Sequence, residues 1–158
     1  MGIRDADEGD ADAIVALWTE AYAKADPAGR QEPYALREYF AVAASAAVSV
    51  AIDDAGAVVA VAALFPPGAP GRSVAGPGEA ELARLAVTAS ARRRGTARAL
   101  VEDCDERARG LGAEAVALWS RPYQTAAHAL YESLGYRRVP ERDEDDRDGR
   151  RWVFRLDL

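Results

Sequence analysis

The stretch Leu85-Ala-Val-Thr-Ala-Ser-Ala-Arg-Arg-Arg-Gly-Thr-Ala-Arg-Ala-Leu100 decides the fold of this 158-residue chain. An apolar strand ends near Val87, a short polar turn closes on Gly95, and a helix begins at about residue 96. The first N–H groups of a helix lack intrahelical partners, and its dipole makes that end mildly positive. Gly95 lets the turn adopt positive φ and lets backbone approach a ligand closely. Arg92, Arg93, Arg94 and Arg98 add four cations within seven residues. Together these features describe a site for phosphate groups. The pattern is neither a Walker A loop, which needs Gly-Lys-Ser/Thr, nor the GxGxxG fingerprint.

Working outward, Gly9, Gly56, Gly112 and Gly135 punctuate a series of short elements. A strand at Ile3-Arg4 precedes a helix over about 11–24, with Asp10 as N-cap and Ile14, Val15, Trp18 and Tyr22 at helical spacing. Asp26-Pro27 and Gly29 break it, and Glu32-Pro33 opens a second helix around 33–45. Val48–Ile52 and Val58–Phe65 form a hairpin across Asp54-Ala55-Gly56. A Pro/Gly-rich loop fills 66–78, and loops of that length are often mobile or functional. Alternation along the strand 79–87 places Glu79, Glu81, Ala83, Leu85 and Val87 on one face if no bulge intervenes. A helix over 96–110 carries Leu100, Val101 and Cys104 on its apolar stripe. A strand at 115–120, a helix over 124–134 and a last hairpin, 136–140 with 151–156, complete the chain. That hairpin is joined by the charged loop 141–151. The predicted class is a single α/β domain spanning 1–158.

Composition excludes several functions. The chain is 49% hydrophobic, enough for a core, and its formal net charge is −6 from 20 Lys+Arg and 26 Asp+Glu. Nucleic-acid binding is disfavoured by that sign. Cys104 alone cannot form an internal disulfide, and with His128 the only histidine no zinc-ligand spacing exists, so no metal is expected. The acidic N-terminal stretch is not a signal peptide, and no apolar run approaches the roughly 20 residues of a membrane helix. The expectation is a cytoplasmic, bacterial protein with no membrane partner; a homodimer is compatible with it.

Arg92-Arg93-Arg94-Gly95-Thr96-Ala97 resembles the Arg/Gln-x-x-Gly-x-Gly/Ala signature of the GNAT superfamily of N-acetyltransferases. Residues 124–136, QTAAHALYESLGY, are similar to that family's Asn-x-x-Ala-x-x-x-Tyr-Glu-x-Leu-Gly-Phe/Tyr segment, at the expected separation. The element order agrees too, so the resemblance covers nearly the whole chain. It implies a central mixed, mostly antiparallel sheet of about 6–7 strands flanked by about 4 helices.

The resemblance also implies roles. The turn would bind the pyrophosphate of acetyl-CoA through the amides of Arg93, Arg94, Gly95, Thr96, Ala97 and Arg98, helped by the Arg92 and Arg98 side chains. The strand Leu85-Ala86-Val87 would pair with the pantetheine arm, the Val87 amide polarising the thioester oxygen. Gln124 stands where the family often has Asn and would contact CoA. Tyr131 matches the tyrosine that protonates the departing thiolate; a phenol of pKa about 10 suits that task. An alkyl ammonium, pKa about 10.4, must lose a proton before it attacks. Glu81, six residues before Val87, is the candidate base or water relay, with Glu79 the alternative beside the acceptor. Ribosomal-protein-type members place a glutamate after the strand residue matching Leu118; that position is Trp119 here.

Tyr22 and Tyr34 flank the helix–helix loop and are expected to line the acceptor pocket, with Trp18 and Tyr39 in the core. Cys104 reads as buried and His128 as a helix-surface residue. The implied function is acetyl-CoA-dependent N-acetyl transfer to a primary amine by direct attack in a ternary complex. Apart from the arginine turn the chain is strongly acidic, which favours a small cationic amine. The alternatives are a protein or peptide N-terminal or lysine acetyltransferase, and a non-catalytic acyl-CoA-binding sensor of the same fold.

Overall fold

Glycine and proline punctuation sets most element boundaries. The computed structural model describes residues 1–25 and 33–158. Its elements are β1 (Gly2–Asp5), α1 (Ala11–Ala25), α2 (Leu36–Ala43), β2 (Ala47–Ile52), β3 (Val58–Phe65) and β4 (Glu79–Val87). They continue with α3 (Thr96–Gly110), β5 (Ala115–Ser120), α4 (Thr125–Ser133), β6 (Arg137–Arg138), β7 (Glu144–Asp146) and β8 (Gly149–Asp157). The sheet runs β1-β2-β3-β4-β5-β8-β6, with β7 also paired to β8. All pairings are antiparallel except β4 with β5, which is parallel. The fold is the expected four-helix α/β arrangement around a mixed sheet.

Each face of the sheet carries its own core. On one, Leu100, Val101, Cys104 and Ala108 of α3 pack with Leu82, Val116, Leu118, Tyr131 and Phe154. On the other, Ile14, Leu17 and Trp18 of α1 and Tyr39 and Val42 of α2 pack on Val50, Val61, Ala63 and Ala86. Cys104 is fully buried, as expected, and burial pushes its thiol up to about 12.

Several local expectations are corrected. Asp7, not Asp10, caps the first helical segment: its carboxylate accepts from Gly9 N (2.8 Å), while the Asp10 carboxylate reaches back to Asp7 N (2.9 Å). That capping box opens a 3-10 turn at Glu8–Asp10 that runs into α1, and Arg4 holds the Asp10 side chain at 2.7 and 3.0 Å. Pro33 precedes α2 instead of starting it, because Ala35 is extended (φ −116°) and its N–H is taken by the Glu38 carboxylate. The breaks at Asp26-Pro27 and Gly29, and Glu32, lie outside the described residues. The charged loop 141–151 contains strand β7, whose carboxylates lie across from arginines of β8: Glu144 from Arg151 and Asp145 from Arg150.

The largest correction is in β4. Val61 pairs with Ala86 but Ala63 with Ala83, so Arg84 and Leu85 together oppose one residue of β3. This is a β-bulge, with Arg84 in the left-handed region at φ 58°. Glu79, Glu81 and Ala83 therefore do not share a face with Leu85 and Val87. Ala83 joins the core beneath α1, whereas Leu85 and Val87 pack on the side of α3.

Candidate active site

The bulge is strained, since a non-glycine residue at positive φ costs about 1 kcal/mol. Helix α1 holds it in place. Trp18 Nε1 donates to the Arg84 carbonyl (3.1 Å) and the Tyr22 hydroxyl donates to the Leu85 carbonyl (3.4 Å). The Arg84 guanidinium lies over the rings of Trp18 (5.4 Å to the centroid) and Tyr34 (4.8 Å). Burial pushes the Tyr22 and Tyr34 phenols up, and Arg84 pulls both back down.

Beyond the bulge the sheet splits. β4 and β5 pair only at Glu79–Ala115, Ala80–Val116 and Glu81–Ala117, although both strands run on. The Thr88 N–H donates to the Val59 carbonyl (2.8 Å), making Thr88 and Val59 a hydrogen-bonded pair. In an antiparallel ladder these alternate, so Val87, opposite Ala60, turns its N–H and C=O to the other edge, where β5 has parted. An unpaired strand edge facing a split is a place for an extended ligand to add itself.

A cleft of about 1050 Å3 opens along the split. Its walls come from Leu82, Ala83, Arg84 and Leu85 of β4, Trp119 and Ser120 of β5, Ala127 and Tyr131 of α4, and Tyr22 and Tyr34 on the α1–α2 side. Pro70, Gly71 and Ser73 of the long loop close one end, and Asp146, Arg147 and Asp148 of the β7–β8 turn border another. That volume suits a drug-sized ligand or larger.

Tyr131 is 7% exposed and packs against Tyr136 (5.8 Å between centroids) and Phe154 (5.9 Å). Among the described residues nothing hydrogen-bonds its hydroxyl, and burial pushes the phenol up. It is a neutral donor facing the cleft.

Glu81 reaches the cleft wall but is only 1% exposed. Its Oε1 accepts the N–H groups of Ser73 (2.9 Å), Val74 (2.7 Å) and Ala75 (2.9 Å), and Oε2 accepts Ser73 N at 3.0 Å. This carboxylate gathers three successive amides of the 66–78 loop. Glu79 does not line the cleft. Oε1 accepts Gly76 N (2.8 Å) and Arg142 Nη2 (2.8 Å), and Oε2 accepts Arg155 Nε (2.6 Å) and Arg142 Nη1 (3.2 Å). Burial would push its carboxyl up, but Arg142, the Gly76 amide and Arg155 prevail and lower it to about 2. Arg142 also donates to the Val74 carbonyl, and Arg72 to the Gly76 (2.9 Å) and Ala69 (3.2 Å) carbonyls. The long loop is thus tied down by Glu79, Glu81 and Arg142 and braced internally by Arg72.

At the arginine turn, Gly95 (φ 79°) and Arg93 (φ 62°) are both left-handed, and no side chain caps the N-terminus of α3. Arg92, Arg93 and Arg94 are exposed. Arg98 instead spans helices, donating to Ser133 Oγ (2.6 Å) and pairing with Glu102 at 3.5 Å. Thr96 is buried and Ala97 half-buried. Gln124 turns inward: its Oε1 accepts Ser120 Oγ (2.8 Å) and Arg121 N (2.7 Å), fixing the turn from β5 into α4.

His128 is buried, not on a helix surface. It stacks on Trp152 (5.3 Å) and touches Phe154 (5.1 Å), with Nε2 near Ser120 Oγ (3.1 Å) and the Arg121 carbonyl (3.0 Å). Burial lowers its pKa. The sequence reading missed Arg84 and Arg121. Arg121, 6% exposed, binds Asp146 through both nitrogens (3.0 and 2.9 Å) and lies over Trp119 at 4.7 Å. An arginine inside an apolar strand, as in Ala83-Arg84-Leu85-Ala86, was the available signal. Among the described residues no cluster of His, Cys, Asp or Glu could hold a metal, and no helix is long and apolar enough to cross a membrane.

Known proteins share this architecture. The ribosomal-protein-alanine N-acetyltransferase of Brucella melitensis superposes with a TM-score of 0.78 at 22% identity, covering 100% of both chains. A GCN5-related N-acetyltransferase from Kribbella flavida gives 0.75 at 25% identity, over 99% of this chain and 97% of its own. A phosphinothricin acetyltransferase of Sinorhizobium meliloti, solved with AcCoA, gives 0.77 at 19%, over 99% and 88%. No curated protein sequence matches the chain significantly. The model of the acetyltransferase (GNAT) family matches residues 11–136, from the start of α1 to the glycine-tyrosine turn after α4. With the split sheet and the glycine turn in place, the chain belongs to the GNAT family of acetyltransferases.

Proposed function

We propose that this protein transfers the acetyl group of acetyl-CoA to a primary amine by direct attack within a ternary complex. The observation that carries this reading is the split between β4 and β5, with Tyr131 on the cleft wall, its hydroxyl bonded to none of the described residues, and the Val87 backbone edge turned toward the side where β5 has parted. The pantetheine arm adds to that edge, with the Val87 amide serving the thioester oxygen. The phosphates rest on the uncapped start of α3, on the amides from Arg93 to Arg98 with Arg92, Arg93 and Arg94 beside them. Gln124 lines the cleft while its side-chain carbonyl oxygen fixes the turn into α4, and Arg98 supports this wall by bridging α3 to α4.

The amine nitrogen attacks the carbonyl carbon, the C–S bond breaks, and its electron pair goes to sulfur. Tyr131 gives that sulfur its proton and regains one from water; the nitrogen proton leaves to water. A thiolate shielded from solvent is a stronger base than in bulk, which lets a weak acid serve it. Cys104 is buried within the α3 core, away from the cleft lining, so it offers no covalent intermediate.

Glu81 acts here as the anchor of the cleft-side loop. Glu81→Gln introduces an amide N–H toward donors that need an acceptor, so kcat/KM falls about tenfold while the acidic limb of the pH–rate profile keeps its midpoint. Loss of that limb in the variant would restore Glu81 as the base. Calorimetry with acetyl-CoA and a thiol-release assay over an amine panel test the function itself. Binding with turnover of at least one amine is expected; tight binding with no turnover on any amine would favour a sensor.

A further inference from the structure

The formal charge of −6 suggests a cationic acceptor, but the charges inside the cleft are arranged otherwise. Each carboxylate at its wall is already engaged. Glu81 holds three loop amides, Asp146 holds Arg121, Glu38 holds the Ala35 N–H, and Asp148 lies 3.6 Å from Arg147. Arg84 has no such partner: among the described residues no carboxylate pairs with it.

We propose that Arg84 is the acceptor-recognition residue and that it selects a primary amine bearing a carboxylate, an amino acid and not a simple cationic amine. This rests on the acetyl-transfer reading above. Trp18 and Tyr34 lie against the face of the guanidinium and the Tyr34 hydroxyl takes one of its N–H groups, while no carboxylate among the described residues takes the others. Those donors match a carboxylate in two parallel hydrogen bonds. The bulge and its two clamps from α1 fix where the side chain begins, next to Leu85 in a cleft that Tyr131 and Trp119 also line. The Tyr22 and Tyr34 rings beside it exclude water, which strengthens a charged pair. A peptide N-terminus lacks an adjacent carboxylate and would leave this arginine unanswered.

The test compares the common L-α-amino acids with their primary amides as acceptors at saturating acetyl-CoA, correcting rates for the fraction of free amine. In the wild type the best amino acid should exceed its amide in kcat/KM by at least about tenfold. Arg84→Gln should bring that ratio to about one and Arg84→Lys should keep part of it, with the KM for acetyl-CoA unchanged and the Tm lowered by only a few degrees for the lost ring contacts. Amides or short peptides serving as well as the acids, or a ratio that survives Arg84→Gln, would overturn the assignment. A second measurement does not depend on turnover: calorimetric titration of the CoA-loaded protein with N-acetyl amino acids and N-acetyl amino acid amides. If no amine is acetylated, the transferase reading fails, while this titration still decides the anion site. Tighter binding of the acids, lost in Arg84→Gln, supports it; equal binding of acids and amides refutes it.

Discussion

Replacing Tyr131 by Phe is expected to lower kcat by about 10²–10³-fold while leaving the KM for acetyl-CoA within about threefold. The substitution removes one oxygen from a ring held by Tyr136 and Phe154, so the packing of α4 on β8 should survive. What disappears is the only job left to a hydroxyl that hydrogen-bonds to none of the described residues: a proton for the departing sulfur. Burial moves this phenol above its ordinary value, so it stays protonated throughout the usual assay range. The wild-type rate should therefore show no alkaline loss traceable to Tyr131 below about pH 10. Thiol release at saturating concentrations of both substrates reads the effect. A decrease of less than about fivefold would remove Tyr131 from the proton path.

The second large effect concerns stability. Glu79→Gln should destabilise the fold by about 2–4 kcal/mol at pH 7, because Arg142 and Arg155 lose the carboxylate that both of them share. The pH dependence follows from linkage. The folded carboxyl titrates at about 2, below its ordinary 4.5, so its contribution is present above about pH 4.5 and fades as the pH falls toward 2. The full shift corresponds to about 3 kcal/mol, and solvent reaching the two half-buried arginines reduces it. Urea denaturation of wild type and variant should differ most near neutral pH, with the gap reduced to about half by pH 3 and closing toward pH 2. A stability gap that stays constant from pH 7 to pH 3 would show that the Glu79 charge is not its source.

Both cases show where sequence was informative. The bounds of β3, β5 and α3 and the start of β4 follow from Gly and Pro beside them, and the position of Tyr131 follows from helical spacing within a recognisable segment. Tyr22 and Tyr34 flank the helix–helix loop in sequence, and both line the cleft. What the sequence does not display is of one kind. The partners of Glu79 and Glu81 are backbone amides of a loop and, for Glu79, arginines 63 and 76 positions away. No local pattern contains such contacts. The bulge escaped for a related reason: Arg84 takes the left-handed conformation without the glycine that usually announces it, since Trp18 and Tyr22, far back in the chain, supply the compensation. His128 appeared exposed on a helix whose outer side is covered by β8, again a distant segment.

Strand β8 has a consequence for the order in which the molecule assembles. It is threaded between β5 and β6, both of which precede it in the chain, and it alone pairs with β6 and β7. During synthesis β5 must wait as an open edge, carrying the apolar run Ala115–Leu118, until residues 149–157 arrive to zip against it. A chain that has not yet placed β8 exposes that edge, and an exposed apolar edge is prone to self-association. Phe154, which backs Tyr131, arrives with that strand, so catalytic competence and protection from aggregation are acquired in the same kinetic event.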